Sequence, residues 1–173
     1  MKETFKEITS INDIIEYFQR GCKEDNKINI GVEHEKFLFK TKKNNRINFQ
    51  TVSEIFDFLI TNFDWRPIKE DNNIIALSRN GQKITLEPGN QIELSGAILN
   101  SIHLACDESY KFLSELKKAC KHLNLKMMSI SYDPISRLKD VPKTPKPRYA
   151  IMTEEMPKNG KLSLEMMYQT SGT

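Results

Sequence analysis

Residues 74–96 read IIALSRNGQKITLEPGNQIELSG, and this segment of turns and short apolar runs decides the fold class. Its Asn-Gly dipeptide at 80–81 is the one that best tolerates positive φ at both centres of a tight hairpin turn. The flanking runs, residues 74–78 and 83–87, therefore predict two antiparallel strands. The segment then breaks at Pro-Gly-Asn and ends in a further apolar run, residues 91–95, which predicts a third strand.

Outward from this segment, hydrophobic periodicity predicts further extended runs and four helices. The extended runs are residues 28–39, a short piece after Trp65, and residues 126–132. The helices are residues 11–21 after an N-cap at Ser10, residues 52–63, residues 102–123 after a cap at Asn100 or Ser101, and residues 149–156. The prolines of 141–148 predict an extended connector.

This order of elements predicts an α+β fold in which helices cover one face of a largely antiparallel sheet. The opposite face of that sheet is then expected to be free for a ligand. The 173 residues suit one domain of ordinary size, and the sequence contains no internal repeat.

Composition excludes several classes of function. With 38% hydrophobic and 28% charged residues, and no apolar run of about 18 residues, a membrane protein is not indicated. Lys and Arg outnumber Asp and Glu by only 26 to 23, so nucleic-acid binding is not indicated either. The first ten residues lack an apolar leader, and Cys22, Cys106 and Cys120 show no CxxC spacing. A cytoplasmic location is therefore expected, without a zinc site or a disulfide framework.

Two pairs of acidic residues lie on predicted strands or at their ends. Glu33 and Glu35 are two positions apart, so their side chains leave the same face of a strand about 7 Å apart at the root. Glu87 and Glu93 flank the Pro-Gly-Asn break. Two interpretations fit this pattern: the acids form the solvated face of an antiparallel sheet, or they converge on a ligand site.

Convergence of the four acids would favour a magnesium site. Adjacent carboxylates repel one another and resist desolvation, so a hard divalent cation between their oxygens stabilises such a cluster. Mg²⁺ commonly bridges protein carboxylates to nucleotide phosphates, which suits phosphoryl transfer. His34 points to the opposite face of its strand and lacks the HExxH spacing of a zinc site, so we assign it no ligand role.

Four segments carry a resemblance to a known family. Residues 31–37, GVEHEKF, resemble the first signature of the plant and alphaproteobacterial type of glutamate–cysteine ligase. Three further segments agree with that family in the same order: 84–96 (ITLEPGNQIELSG), 147–157 (PRYAIMTEEMP) and 164–173 (LEMMYQTSGT). Together the resemblance covers residues 28–173, nearly the whole chain.

The resemblance implies a glutamine-synthetase-like architecture, in which the inner face of an antiparallel sheet holds magnesium, ATP and glutamate. Residues 1–173 would be the N-terminal portion of a single catalytic domain whose sheet is incomplete in this chain. The implied reaction joins the side-chain carboxylate of L-glutamate to the amine of L-cysteine through an acyl phosphate. It depends on ATP and Mg²⁺ and is the first step of glutathione biosynthesis.

The resemblance also implies residue roles. Glu33, Glu35, Glu87 and Glu93 fall on the family's magnesium-binding positions. Arg148 falls on the arginine expected to act in catalysis and to bind the glutamate substrate, where a guanidinium can pair with a carboxylate; otherwise it is a connector arginine in solvent. Met166, Met167 and Thr170 match the segment that lines the amino-acid pocket, although a Met pair also commonly fills a core.

The sequence departs from the family pattern at two positions. Asn90 stands where many relatives have the second glycine of a pair, and Asn tolerates left-handed backbone better than most residues. Gln169 stands where relatives often have arginine, so the resemblance implies no substrate contact from position 169.

Two alternatives to the implied reaction stay open. The family's enzymes run to several hundred residues, so an inactive truncated remnant is one alternative. A ligase with a different acceptor amine is another, because no residue specifies cysteine.

Overall fold

The computed structural model describes residues 7–23 and 28–172, and these form an α+β fold built on a six-stranded antiparallel sheet. The strands are β1 (Glu33–Lys40), β2 (Arg66–Glu70), β3 (Asn73–Arg79), β4 (Gln82–Leu86), β5 (Ile92–Ser95) and β6 (Leu125–Met128). The helices are α1 (Ile11–Gly21), α2 (Phe49–Phe63), α3 (Ile102–His122), α4 (Pro147–Glu155) and α5 (Ser163–Gln169).

The sheet has the strand order β2-β3-β4-β5-β1-β6, with every neighbouring pair antiparallel. The predicted hairpin is confirmed: β3 and β4 pair across Asn80 and Gly81, whose φ angles are 50° and 83°. The third predicted strand is confirmed as β5, which pairs with β4 on one side and β1 on the other. The quoted segment therefore supplies half of the sheet.

Helices α2 and α3 pack on one face of this sheet, as the apolar stripes predict. The core between them contains helix residues such as Phe56 and Leu116 together with strand residues such as Leu38, Ile84 and Leu94. Asn48 caps the start of α2 by accepting a hydrogen bond from the backbone N–H of Thr51 at 3.1 Å. Ser101 caps α3, which decides between the two candidate caps in the sequence. The apolar stripes and N-caps of α2 and α3, which are local features of the sequence, therefore account for the helices on this face of the sheet.

The predicted first helix is confirmed as α1. Ser10 and Asp13 form a reciprocal capping box at its start. None of its eleven residues is buried, so its apolar stripe does not join the core.

Element boundaries differ from the predictions at several places, including the start of α2, which lies at Phe49 instead of residue 52. The strand predicted over residues 28–39 begins at Glu33, and Ile30 makes only an isolated bridge to Leu99. The strand predicted over residues 126–132 ends at Met128. Helix α4 begins at Pro147, where the fixed φ of proline suits a first helical turn, so the connector is shorter than predicted.

The opposite face of the sheet is only partly free, which corrects the expectation that all of it would be open. Phe37 and Phe39 project on this face and are fully buried. The Arg46 guanidinium lies 4.2 Å from the centre of the Phe37 ring. A second, smaller core covers this end of the face, formed by residues between 138 and 168 and including Val141, Tyr149, Met167 and Tyr168. The uncovered end of the face carries the cavity described below.

No helix within residues 7–23 and 28–172 is long and apolar enough to cross a membrane.

Candidate functional site

The uncovered end of the sheet face forms a cavity of about 630 Å³. All four predicted metal-binding acids line it, and so does Arg148. The structure therefore brings together the residues that the sequence places on three separate segments. The four acids differ in burial: Glu93 is only 8% exposed, Glu35 and Glu87 are partly buried, and Glu33 is exposed as the interpretation of a solvated face expects. The other lining residues are Ile68, Glu70, Ile75, Ala76, Lys83, Thr85, Ser95 and Lys146.

Strand register places three of these side chains in one row across the sheet. Glu35 on β1 is opposite Glu93 on β5, and Glu93 is opposite Thr85 on β4. The Thr85 hydroxyl donates to one carboxylate oxygen of Glu93 at 2.8 Å, and the Ser95 hydroxyl donates to the other at 2.8 Å. Glu35 accepts a hydrogen bond from the backbone N–H of Gly172 at 2.9 Å. The carboxylate of Glu93 is thus held in a fixed orientation at the floor of the cavity.

Glu87 lies at the turn between β4 and β5, and this turn is fixed by contacts to a distant segment. The backbone N–H of Asn90 donates to Glu87 O at 3.0 Å and also to the Thr144 hydroxyl oxygen at 3.1 Å. The Thr144 hydroxyl donates to Glu87 O, and its backbone N–H donates to Pro88 O at 2.8 Å. Residue 144 therefore holds the turn that carries Glu87.

Two residues of this turn are restricted, Asn90 by its backbone conformation and Gly89 by the space around it. Asn90 is fully buried with a φ of 59°, which confirms that asparagine serves at this left-handed position. A Cβ on Gly89 would lie 2.7 Å from Tyr168 O and 3.0 Å from the Arg46 guanidinium, which donates to Gly89 O. The turn is thus closely packed against the second, smaller core that includes Tyr168, called the C-terminal core below.

The carboxyl groups of the cavity interact strongly with one another. Burial raises the pKa of Glu87 to about 7, and a hydrogen bond to Glu93 and the negative charges of Glu93 and Glu35 act in the same direction. Burial also raises the pKa of Glu35, against the effect of the Gly172 N–H and together with the charges of Glu93 and Glu33. Because the pKa of Glu87 is close to neutral, a cation that binds in the cavity would compete with the proton on this carboxyl group.

Replacement of Glu87 by Gln is expected to stabilise the protein above neutral pH. Because the folded-state pKa of Glu87 is raised, the native protein binds more protons than the unfolded chain between about pH 4.5 and 7. The contribution of Glu87 to stability is therefore fully present below pH 4.5 and is lost as the pH rises through 7. Urea unfolding should show Glu87→Gln and the wild type alike at pH 4.5, with the variant about 1 to 2 kcal/mol more stable at pH 8 after allowance for solvent screening.

The matched control for this measurement is Glu154→Gln, which replaces an exposed glutamate of α4. Its unfolding free energy should follow the wild type at both pH values. If the difference in unfolding free energy between Glu87→Gln and the wild type were the same at pH 4.5 and pH 8, the pKa of Glu87 would not be raised in the folded protein.

Three cations share the cavity with the acids, and the sequence analysis singled out only one of them. Arg148 donates to the Tyr149 hydroxyl oxygen at 2.9 Å, next to the cavity. Lys146 and Lys83 also line it. A lysine in a connector and a lysine on a strand carry no sequence signal of a site, so only the three-dimensional arrangement reveals them.

None of the three residues predicted to line the amino-acid pocket, Met166, Met167 and Thr170, is among those that line the cavity. Met166 is exposed, and the Thr170 hydroxyl donates to Met166 O within the last turn of α5. Their role in substrate binding stays a prediction. Met167, by contrast, is buried in the C-terminal core. Gln169 is also buried and donates to Ser136 O at 2.6 Å, in keeping with the lack of an implied substrate contact there.

His34 lies on the other face of β1, as predicted. Its Nε2 atom forms a 2.9 Å hydrogen bond with the Ser109 hydroxyl of α3. This side chain is therefore directed to the helix-covered face and away from the cavity.

The cavity fits a magnesium ion by the chemistry of its donors. Its lining includes the carboxylate oxygens of five glutamates, which are the hard ligands that Mg²⁺ prefers. In the part of the chain that the structure describes, no three His, Cys, Asp or Glu side chains converge closely enough to hold an ion by themselves. An ion here would thus take one or two carboxylates and complete its ligands with water or phosphate oxygens, which is the usual mode for Mg²⁺.

Comparison with known proteins bears directly on this cavity. Residues 29–172 match the model of glutamate-cysteine ligase family 2 (GCS2). The chain belongs to this family. The match includes all four motif segments on which the resemblance was based, except residue 173. As a member of the glutamate–cysteine ligase family, the chain carries its acidic cavity on segments that the family model covers.

Curated relatives of the chain are plant glutamate–cysteine ligases. The chain is 40% identical over 158 residues to the chloroplastic glutamate–cysteine ligase of Medicago truncatula, with 91% of this chain and 31% of the relative covered. It is 40% identical to glutamate–cysteine ligase A, chloroplastic, of Oryza sativa subsp. japonica, and 38% identical to the Arabidopsis thaliana enzyme, again over 91% of this chain. The alignments cover 32% and 30% of those two relatives, so the chain spans about a third of their length.

Proposed function

We propose that this chain forms the site for Mg²⁺-ATP and glutamate in a ligase that joins the glutamate side-chain carboxylate to the amine of cysteine. That reaction would be the first step of glutathione biosynthesis. The observation that carries the proposal is the convergence of four glutamates and Arg148 on one cavity, in a member of a family named for this reaction. The glutamine-synthetase-like architecture is part of the same proposal, supported by an antiparallel sheet with helices on one face and acids on the other.

The proposed chemistry has two steps. The side-chain carboxylate of glutamate attacks the terminal phosphorus of ATP, so a C–O–P bond forms and ADP leaves. The amine of cysteine then attacks the acyl phosphate carbon, phosphate leaves with the C–O bond electrons, and the amine loses a proton. An amide bond results. When bound, Mg²⁺ supplies charge neutralisation at the phosphate oxygens.

The residues of the chain orient the reactants and stabilise charge in this proposal. Glu33, Glu35, Glu87 and Glu93 would supply the carboxylates for Mg²⁺, with one or two of them on an ion, and the hydroxyls that donate to Glu93 keep its carboxylate in place. Arg148 pairs with a carboxylate of the glutamate substrate. No covalent nucleophile is required.

The cysteines of the described residues fit a non-catalytic role. Cys22 and Cys106 are exposed, and neither lines the cavity. Burial raises the pKa of the Cys120 thiol to about 11, which leaves it protonated and unreactive at neutral pH. Three of the relatives are named as chloroplastic, so a cytoplasmic location for this chain stays a prediction.

The experiment that tests the function is an ADP-release assay on the purified chain with ATP, Mg²⁺, glutamate and a panel of amines. We expect release that requires glutamate and is fastest with cysteine, and that is lost in Glu93→Gln but kept in Glu154→Gln. A faster rate with another amine would assign a different acceptor. Glutamate-independent release, or none at all with any amine, would contradict the proposed activity.

A further inference from the structure

Lys146 is the N-cap residue of α4 and has a rigid backbone at the edge of the cavity. It lies between Pro145 and Pro147, whose rings restrict the chain on both sides. Its backbone N–H donates to Thr144 O at 2.9 Å, and its carbonyl oxygen accepts from the N–H of Tyr149 at 2.9 Å. The base of this side chain is therefore fixed relative to the turn that carries Glu87.

The ammonium group of Lys146 is anchored by one neutral acceptor. Its Nζ donates to Leu86 O at 2.9 Å, and that same carbonyl accepts a hydrogen bond from the Tyr149 hydroxyl at 2.6 Å. The ammonium also lies 5.3 Å from the centre of the Tyr149 ring. An ammonium has three donor hydrogens, so the contact with Leu86 leaves donors for a ligand in the cavity.

Opposite charges line this cavity without pairing. Among the described residues the lining contains five glutamates and three cations, yet no hydrogen bond or ion pair joins a cation of the lining to an acid of the lining. Burial lowers the pKa of Lys146 and the charge of Arg148 beside it acts in the same direction, whereas the negative charges of Glu87, Glu93 and Glu70 raise it. Two neighbouring cations that face a shared space repel each other unless an anion lies between them. The arrangement thus keeps acids available for a cation and bases available for an anion.

We infer that Lys146 is a substrate-binding residue whose ammonium, next to the Arg148 guanidinium, binds an oxyanion of the substrates. The oxyanion is either a phosphate of the nucleotide or a carboxylate of glutamate, which share the same charged oxygens. This inference rests on the proposed function, because it takes the occupants of the cavity to be those of the ligase reaction. It adds a residue that neither the motif segments nor the acid cluster identifies.

The test is isothermal titration calorimetry on the full chain with two separate ligands. One is a non-hydrolysable ATP analogue with Mg²⁺, and the other is L-glutamate. Lys146→Met removes the charge and the donor, whereas Lys146→Gln removes the charge and keeps a donor for Leu86 O, which guards against a folding defect. Both should weaken binding of one ligand about 10- to 100-fold, the loss expected for a charge-assisted hydrogen bond. The ligand that is affected identifies the source of the oxyanion.

Two controls make the outcome decisive. Lys146→Arg keeps the charge and should bind both ligands within a few-fold of the wild type. Lys143→Met removes an exposed lysine of the same connector, outside the lining, and should leave both affinities unchanged. If the wild type binds the ligands and both neutral variants bind them equally well, the role of Lys146 is overturned. If the wild type binds neither ligand, the proposed function fails first.

Discussion

Replacement of Glu93 by Gln is expected to weaken Mg²⁺-dependent nucleotide binding by about 100-fold while the chain remains folded. Glu93 is the most buried of the cavity acids, and it lies in the same row as Glu35. Both of its carboxylate oxygens are oriented by hydroxyl groups, so it is the acid best prepared to hold an ion. Even the loss of a residue outside the direct ligands of a metal costs up to about 100-fold in affinity.

Titration of the non-hydrolysable ATP analogue into the wild type and Glu93→Gln, at fixed Mg²⁺ concentration, measures this loss. Urea unfolding of the same samples checks the fold. The variant should be at least as stable as the wild type in the absence of metal, because the substitution removes a negative charge from a crowded cluster. Equal nucleotide affinities in the two proteins would exclude Glu93 from the metal site.

Replacement of Arg46 by Met is expected to destabilise the protein by about 3 to 5 kcal/mol, the cost of breaking a buried ion pair on one side. The Arg46 guanidinium is buried with the carboxylate of Asp133 at 3.1 Å, and it also donates to the carbonyl oxygen of Gly89. Its removal leaves a charged carboxylate in the interior and frees the turn between β4 and β5. The same substitution should therefore also weaken binding at the cavity.

The matched control is Arg137→Met, which breaks an exposed pair with Asp140 on a neighbouring segment. Exposed pairs contribute little, so its unfolding free energy should stay within about 0.5 kcal/mol of the wild type. Equal midpoints of urea unfolding for Arg46→Met and Arg137→Met would show that the buried pair does not hold the C-terminal core to the sheet.

The parts of the fold that could be predicted from sequence are those set by local chemistry. The Asn-Gly turn at 80–81 and the caps at Ser10 and Ser101 act over a few residues, and the structure contains all three. The shared face of Glu33 and Glu35 follows from the period of two along a strand. Helix α5 was not predicted, because its seven residues are too few for a hydrophobic period to be recognised.

The arrangement of the candidate site was only partly predictable, because several of its contacts join distant segments. Thr144 contacts Asn90 across 54 residues, and Lys146 contacts Leu86 across 60. No rule of sequence spacing connects such positions. The contacts of Thr144 with the turn between β4 and β5, and the position of Lys146 in the cavity, are therefore seen only in the structure. The residues by themselves predicted a magnesium site only on the condition that the four acids converge, whereas the assignment of these positions and the substrate roles came from the family resemblance.

The most direct test of the central claim is an electron paramagnetic resonance titration of the chain with Mn²⁺, a paramagnetic substitute for Mg²⁺. In the presence of the non-hydrolysable ATP analogue, the wild type should remove Mn²⁺ from the free-ion signal beyond what the nucleotide alone binds. The double variant Glu35→Gln, Glu93→Gln should leave that signal equal to the nucleotide-only control. Identical Mn²⁺ uptake by the two proteins would contradict the assignment of the acidic cavity as the metal site.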